Sequence, residues 1–514
     1  MLNYYGHPFY DVGVATITAF AGERTPEDLT EADLDKIADY ISDLYIDPVL
    51  VSNLSIAFTI NSGFTTPSFR KTPKKRKLYA KKMLRSYKKE TPVLNERCVF
   101  TGKPAVALSL DTKDGLPVGR AFRQHIPLIT GEGPINFYHE GNVGLPVSGE
   151  ALLAIHALPL GCAKAGGKLL AIHSDNPKIM LRFADRFLKE NQKAIHMAQQ
   201  MGEKKMAETE PYGYRTLLLS LLEADFQQHR ELKKEASFSI TAYYFSNSGQ
   251  GVSLDIYHLP SQVLDFLGSV NTPQYRATWE RIVYQAWELP SKKQKDDSDF
   301  QPRRNYLYED LFDLMTAYAP LENPQRVSRF MQTYFLRKAW KYDKQPQTDP
   351  RQAYSPHTQT QLISWDIITL FLERILYMEK EKIEAVRTLA DRFAEYVNRE
   401  NDIRFLNKLL WARRFQDLSR TLTLLAAQQY KEEFAQKRRE AKTNDQPLPQ
   451  RDENAPIIRY QEYISLFEEG EGLADRQWSL IRDLLVIRMI EWLYDKQVSL
   501  EGLQTEPTED NQDN

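Results

Sequence analysis

Between Gly102 and Gly167 the chain sets Pro104, Pro117, Pro127, Pro134, Pro146 and Pro159 among closely spaced glycines, a pattern that no long helix tolerates. Proline removes a backbone donor and glycine raises the entropic cost of a regular element, so short strands and turns are expected there. Helical periodicity lies on either side. Thr25-Pro26-Glu27-Asp28 and Thr30-Glu31-Ala32-Asp33 each place a hydroxyl three residues before a carboxylate, two helix starts in close succession. Leu34, Ile37, Ala38, Ile41 and Leu44 then recur at helical spacing and predict a surface helix to about Asp47. The fold class expected from this arrangement is α+β: a mixed N-terminal part of short strands and helices, followed by an all-α C-terminal bundle.

From Pro177 the pattern is helical again until residues 237–260, where Phe238 to Phe245 and Val252 to Tyr257 are β-rich runs joined by Ser246-Asn247-Ser248-Gly249-Gln250-Gly251. They predict a hairpin. Beyond Leu362, Leu406, Leu410, Leu418, Leu422 and Leu425 mark the buried stripe of one long helix, and Trp478, Ile481, Leu484, Leu485, Ile487, Ile490 and Trp492 a last one. The expected organisation is an N-terminal domain over 1–95 with a basic arm at 70–89, a Gly/Pro-rich segment over 96–177, and an α+β region over 178–342 carrying the 238–257 hairpin. A linker over 343–361, a helical bundle over 362–500 and a disordered acidic tail over 501–514 complete it. No short internal repeat is present, which argues against a solenoid.

Two cysteines, Cys98 and Cys162, cannot form a disulfide framework or supply a four-thiolate zinc site, so a reducing compartment is expected. The first residues lack a basic segment followed by an apolar core, and no run of about 18 apolar residues occurs. A cytoplasmic protein without a membrane partner is the expectation. Enzyme motifs fail in turn. Gly161 to Leu169 resembles a phosphate loop, but its glycine spacing is off by one and Leu169 replaces the metal-binding hydroxyl. There is no His-Glu-x-x-His and no Gly-x-Ser-x-Gly. His7 and Asp11, four apart, fit a local hydrogen bond near a helix end better than an acid/base or metal pair. Neither a catalytic residue nor a cofactor is expected.

The net charge of −2 would argue against nucleic acid as a partner if charge were evenly spread. It is not. Arg70, Lys71, Lys74, Lys75, Arg76, Lys77, Lys81, Lys82, Arg85, Lys88 and Lys89 are eleven cations in twenty residues without one acid. Such a block is expected to extend by self-repulsion until a polyanion binds it, with Tyr79 and Tyr87 available to stack on bases or to pack. A second basic surface is expected on the long C-terminal helix from Arg404, Lys408, Arg413, Arg414 and Arg420, with Arg413 and Arg420 sharing a face. The hairpin tip, with Asn247, Ser248 and Gln250, offers amides that could read base edges, although such residues also make ordinary turns.

Gly6-His7-Pro8-Phe9-Tyr10-Asp11-Val12-Gly13-Val14-Ala15, followed by Ala19-Phe20-Ala21-Gly22 and the helix start at Pro26-Glu27-Asp28-Leu29-Thr30, resembles the opening of a known family. That family is the large subunit of type I-B CRISPR Cascade complexes, the Cas-eight family in its Cst-type branch. Cys98-Val99-Phe100-Thr101-Gly102, Asn136-Phe137, Gly144-Leu145-Pro146, Ala157-Leu158-Pro159-Leu160-Gly161 and Tyr243 to Gly251 match further. The resemblance covers about the first 260 residues in motif detail. The branch carries two Cys-x-x-Cys pairs that look like a zinc site. Here the first reads Cys98-Val99-Phe100-Thr101 and the second Ser148-Gly149-Glu150-Ala151, so three of four ligands are gone and no metal is expected. His125, His139 and His156 do not stand at the vacated spacing.

The resemblance implies a binding subunit rather than an enzyme. Its implied partners are guide RNA at the 5′ handle, double-stranded target DNA with its displaced strand, the Cascade backbone and 5′-handle-binding subunits, and a helicase-nuclease or, in transposon-associated systems, transposition proteins. Pairing reads the long sequence and protein reads the flanking motif. The arm over 70–89 would then grip phosphates, and the loops with Asn61, Ser62 and Phe64 and with Asn247, Ser248 and Gln250 would read the motif, Phe64 as a wedge. The family also implies that the C-terminal bundle resembles a small subunit made from an internal start, for which Met331 and Met378 are candidates, the latter inside an expected helix. The alternatives are a transposon adaptor and a nucleic-acid-processing enzyme whose acids spacing does not expose.

Overall fold

The computed structural model describes residues 2–110, 117–129, 143–208, 212–228, 238–247, 251–259, 261–288, 300–316, 324–335, 364–443, 457–469, 473–474, 477–500 and 503. The chain is α+β and divides into two compact units, residues 1–217 with 236–261, and residues 218–235 with 262–514. The expected 178–342 region is therefore shared between them. Its hairpin belongs to the first unit because the first hairpin strand pairs with Lys168–Ser174.

The first unit is built around α1 (Pro8–Ala21), in which every residue from Phe9 to Thr18 is buried. It packs on α6 (Gly149–Ala157), on α7 (Pro177–Met201) and on the sheet. A methyl group at Gly13 would meet the Ala154 carbonyl oxygen at 2.0 Å, so glycine is what lets α1 and α6 touch backbone to backbone. α2 (Glu31–Leu44) starts at a capping box in which Thr30 and Asp33 satisfy each other's backbone donors. The start expected at Thr25 yields only a single 3₁₀ turn, Pro26–Asp28. α3 (Val51–Phe58), α4 (Pro67–Arg70) and α5 (Pro73–Leu84) follow.

Short strands occupy part of the Gly/Pro-rich segment as expected, but α6 lies within it where a helix was not expected, because Ala151 to Ala157 holds neither glycine nor proline. β1 (Val93–Arg97) pairs with β2 (Pro104–Val106) and β3 (Arg120–Ala121) with β4 (Leu145–Pro146). This segment is not a separate domain. Cys98, Phe100, Val106, Ala121 and Val147 belong to the same core as Phe9, Ile37 and Leu54. β5 (Ala163–Ala165), β6 (Lys168–Ser174), β7 (Ile240–Ser246) and β8 (Ser253–Leu259) form an antiparallel sheet in that order. β7 and β8 are the expected hairpin, paired from Ile240–Leu259 to Ser246–Ser253.

The boundary between the units falls within α8 (Tyr214–Gln228). The second unit continues with α9 (Ser261–Val270), α10 (Arg276–Tyr284), α11 (Tyr306–Thr316), α12 (Pro324–Tyr334), α13 (Trp365–Arg374) and α14 (Lys380–Glu400). α15 (Ile403–Trp411), α16 (Phe415–Thr443), α17 (Tyr460–Phe467) and α18 (Trp478–Asp495) end it, with one two-residue strand pair, Glu468–Glu469 and Leu473–Ala474. α18 is buried from Leu480 to Ile487 and packs on α14 and α12. Its Asp483 accepts hydrogen bonds from Ser328 and Gln332 of α12, and from the neighbouring Arg482.

The expected long helix carrying Leu406 to Leu425 is two helices, because the chain breaks at Ala412 and restarts where Asp417 accepts from the Arg414 N–H at 3.0 Å. Met331 is buried within α12, whereas Met378 lies between α13 and α14 rather than inside a helix. The expected linker over 343–361 lies outside the described residues, as do all but Leu503 of the expected tail. No single helix among the described residues is long and apolar enough to cross a membrane.

Candidate nucleic-acid interface

The basic segment is folded, which corrects the expectation of an extended arm. Arg76, Tyr79, Ala80, Met83 and Leu84 form one buried face of α5 and dock it on α2 and α6. Apolar contact at helical spacing thus outweighs the repulsion among the lysines. Arg76 is not free for a polyanion: its guanidinium donates to the carbonyls of Tyr45 at 2.5 Å, Phe64 at 2.6 Å and Ile46 at 3.0 Å. Tyr79 is buried edge-on against Phe64. Beyond the helix, Arg85 binds Asp35 at 2.7 Å and also Asp39, while Lys88 binds Asp35 and Glu31, both at 2.7 Å. Lys88 and the Tyr87 hydroxyl together hold the Asp35 carboxyl below its usual range. Arg76, Arg85 and Lys88 therefore anchor the segment to α2 and its neighbours.

What remains outward is a lysine row. Lys74, Lys75, Lys77, Leu78 and Lys81 are exposed and Lys82 is half-buried. Lys71 and Lys89 are exposed just beyond the ends of the helix. Lys77 lies 3.5 Å from Asp43. Lys71, Lys74, Lys75, Lys81, Lys82 and Lys89 form no ion pair with another described residue. Lys74 and Lys75 sit in the first turn of α5, which carries no acid. The positive end of the helix dipole lies there, so cations raise the energy of the free protein and an anion would lower it. Arg70 closes α4.

The loop candidates fare differently. Asn61 is exposed, but Ser62 and Phe64 are fully buried, Phe64 between Tyr45, Tyr79 and His156. Phe64 is a core residue, not a wedge. Asn247 is buried too: its side-chain amide donates to the carbonyls of Ala57 at 3.0 Å and Arg123 at 2.9 Å, and its backbone N–H to Ile56. It fastens the hairpin to α3 and does not reach outward. Ser248 and Gln250 lie outside the described residues.

The two segments aligned with the Cys-x-x-Cys pairs meet. Gly102 N–H donates back to Cys98 and Val99 N–H to Pro146, which turns the first segment over the second. Thr101 and Ser148 share a hydroxyl hydrogen bond at 3.1 Å, Ser148 caps α6, and Lys103 binds Glu150 at 2.8 Å. Hydroxyl and ion-pair contacts thus join these turns. Among the described residues no group of three His, Cys, Asp or Glu side chains is placed to hold a metal. His125 and His156 are fully buried, and desolvation pushes them down to about 3 and about 4. His139 lies outside the described residues. His7 caps α1, and the Asp11 carboxylate accepts from the Tyr5 and Gly6 N–H groups, both at 2.8 Å, and faces His173 Nε2 at 3.3 Å. In the loop reminiscent of a phosphate site, the Gly166 and Gly167 N–H groups already bind the Glu208 carboxylate.

In the second unit, Arg404 and Lys408 are exposed one turn apart on α15. Arg413 and Arg414 are exposed in the break after it, and Arg420 is exposed on α16. The break means that Arg413 and Arg420 do not share a helical face. Farther along α16 the structure exposes two aromatic residues that sequence reasoning passed over, Tyr430 and Phe434. Their signal was a ring pair four residues apart among lysines and arginines, which by spacing alone reads as core. Comparison with family models, with curated proteins and with solved structures finds no match for this chain.

Proposed function

We propose that the chain is a non-catalytic nucleic-acid-binding subunit of the cytoplasm, the large subunit of a type I-B CRISPR RNA-guided complex. The lysine row of α5 carries the reading. Cations on the solvent face of a docked helix that pair with no other described residue, two of them in its dipole-disfavoured first turn, are stabilised by a polyanion more than by water. In this reading α5 grips phosphates of the target duplex or the guide RNA handle, and Asn61 is the described amide left to touch the flanking motif. The motif-level resemblance supplies the rest: guide RNA, backbone and 5′-handle subunits, and a recruited helicase-nuclease or transposition proteins.

Titration of a labelled 30-bp duplex between about 50 and 200 mM salt tests the electrostatic core of the reading. Affinity is expected to fall steeply, by about 0.9 log units per tenfold rise in salt for each phosphate contact. Binding that is absent or indifferent to salt would sink it. Incubation with labelled DNA and magnesium addresses the enzyme alternative, since cleavage abolished by a single acid substitution would replace the binding role. Co-purification with a guide RNA of defined length and a multi-copy backbone protein tests the complex.

A further inference from the structure

Glu223 lies on the part of α8 that belongs to the second unit, and its side chain is buried. Its Oε1 accepts from the indole N–H of Trp279 on α10, and its Oε2 from the Tyr308 hydroxyl on α11 at 2.5 Å. These two helices are fastened to each other without it. Asn305 donates to the Val283 carbonyl at 2.9 Å and accepts from the Tyr308 N–H at 3.2 Å, and the Tyr306 N–H donates to Ala286 at 2.9 Å. Glu223 is the carboxyl that α8 carries into this ready-made pair of helices.

The groups around it leave its charge uncompensated. From α10 comes Glu280, which binds Arg276 at 2.7 Å, while Arg281 of the same helix is exposed. From α11 comes Tyr308, whose neighbours Glu309 and Asp310 are engaged by Arg304 and by the Tyr334 hydroxyl. α9 adds Phe266, edge-on to Trp279, and Asn271, bonded to Gln227, neither of which titrates. Asp225 lies about 200° round α8 from Glu223. Among the described residues no lysine or arginine bonds Glu223. A buried carboxyl in that position sheds its charge most cheaply by taking a proton. The site suits both forms. An indole N–H only donates, but a hydroxyl donates or accepts, so a protonated Glu223 keeps Trp279 on one oxygen and donates to Tyr308 from the other. Burial, helped by Glu280, lifts the carboxyl to about 7. We propose that Glu223, Trp279 and Tyr308 form a proton-linked clasp, by which the second unit grips α8 while the carboxyl is protonated and slackens that grip once the proton leaves. The clasp works whether or not the chain binds nucleic acid.

Hydrogen exchange of the full-length chain, read by mass spectrometry, tests the clasp. Protection of residues 218–228, corrected for the intrinsic pH dependence of exchange, is expected to fall about tenfold from pH 6 to pH 8 and to level off above, because the carboxyl returns to its ordinary value near 4.5 when α8 is released. Glu223→Gln keeps the shape and both hydrogen bonds of the protonated form, so its protection should stay flat over that range. Tyr308→Phe removes a donor to the charged form and should carry the fall to higher pH before it levels. At pH 8 the wild-type α8 is expected to exchange faster than α18, since the clasp opens while the core of the bundle stays folded. A pH-independent wild type overturns the clasp, and so does a Gln variant that follows the same fall. Equal protection of α8 and α18 at pH 8 overturns it in favour of a plain contribution to global stability.

Discussion

α5 and α16 both present cations to solvent, and they are built inside out relative to each other. α5 turns its tyrosine and one arginine inward and leaves lysines outside, whereas α16 buries leucines and leaves two aromatic rings outside with its cations. A lysine is a compact, strongly hydrated point charge suited to phosphate and indifferent to bases. An exposed ring in water has no such partner until something planar arrives. The contrast teaches that a count of positive residues locates a surface, while the placement of the aromatic residues beside them says what the surface can hold.

The sharpest way to break the contrast lies within α5 itself. Arg76→Ala is expected to cost about 3 kcal/mol of stability, because three buried carbonyls lose their donor, whereas Lys74→Ala should stay within about 0.5 kcal/mol. Urea denaturation reads both, and equal effects would erase the division into anchoring and free cations. Next, replacing Lys74, Lys75, Lys81 and Lys82 together by alanine should flatten the salt dependence of duplex binding by up to about 3.6 log-log units, with the fold intact. An unchanged slope would remove α5 from the interface.

Smaller effects follow. Asn247→Ala is expected to lower stability by about 1 to 2 kcal/mol without altering preference among flanking motifs, since its amide is spent on Ala57 and Arg123. A changed motif preference at unchanged stability would return it to the readout surface. The gentlest comparison is between the pH responses of the two units. In the second, burial, helped by the nearby Glu280 charge, raises Glu223 to about 7 although Tyr308 and Trp279 donate to it. Its stabilising contribution is complete below the unfolded value near 4.5 and is lost as pH rises through about 7. In the first, His125 and His156 are depressed, so their contribution is present above about 6.5 and is lost as pH falls toward 3 to 4. The melting temperature of the wild type, measured against Glu223→Gln, should therefore decline between pH 4.5 and 7. A constant difference would contradict the sign.

Much of the frame was legible from local pattern. The hairpin, the capping box at Thr30 and the buried leucines of the C-terminal helices all follow from periodicity two or 3.6, which is a property of neighbours in sequence. The candidate site was less so. The docked face of α5 stands at helical spacing, but its few apolar residues are interleaved with lysines and charge dominates the reading. Arg76 looked like one cation among eleven because its partners, Tyr45, Ile46 and Phe64, lie 12 to 31 residues away. Asn247 and Phe64 sit in turn-like sequence, and only long-range packing buries them. The break at Ala412 was hidden because the leucine stripe continues across it.

The anchoring of α5 also has a calorimetric consequence. A coil of lysines that ordered on a phosphate chain would give up conformational entropy and show the large negative heat-capacity change of coupled folding. α5 is already a helix, docked through Arg76 and its apolar face, so Lys74 and Lys81 keep a separation of about 10.5 Å along the axis with or without a partner. Its lysines act as a fixed ruler of charge, and binding to it should be nearly athermal in heat capacity, driven by released counterions rather than by new structure.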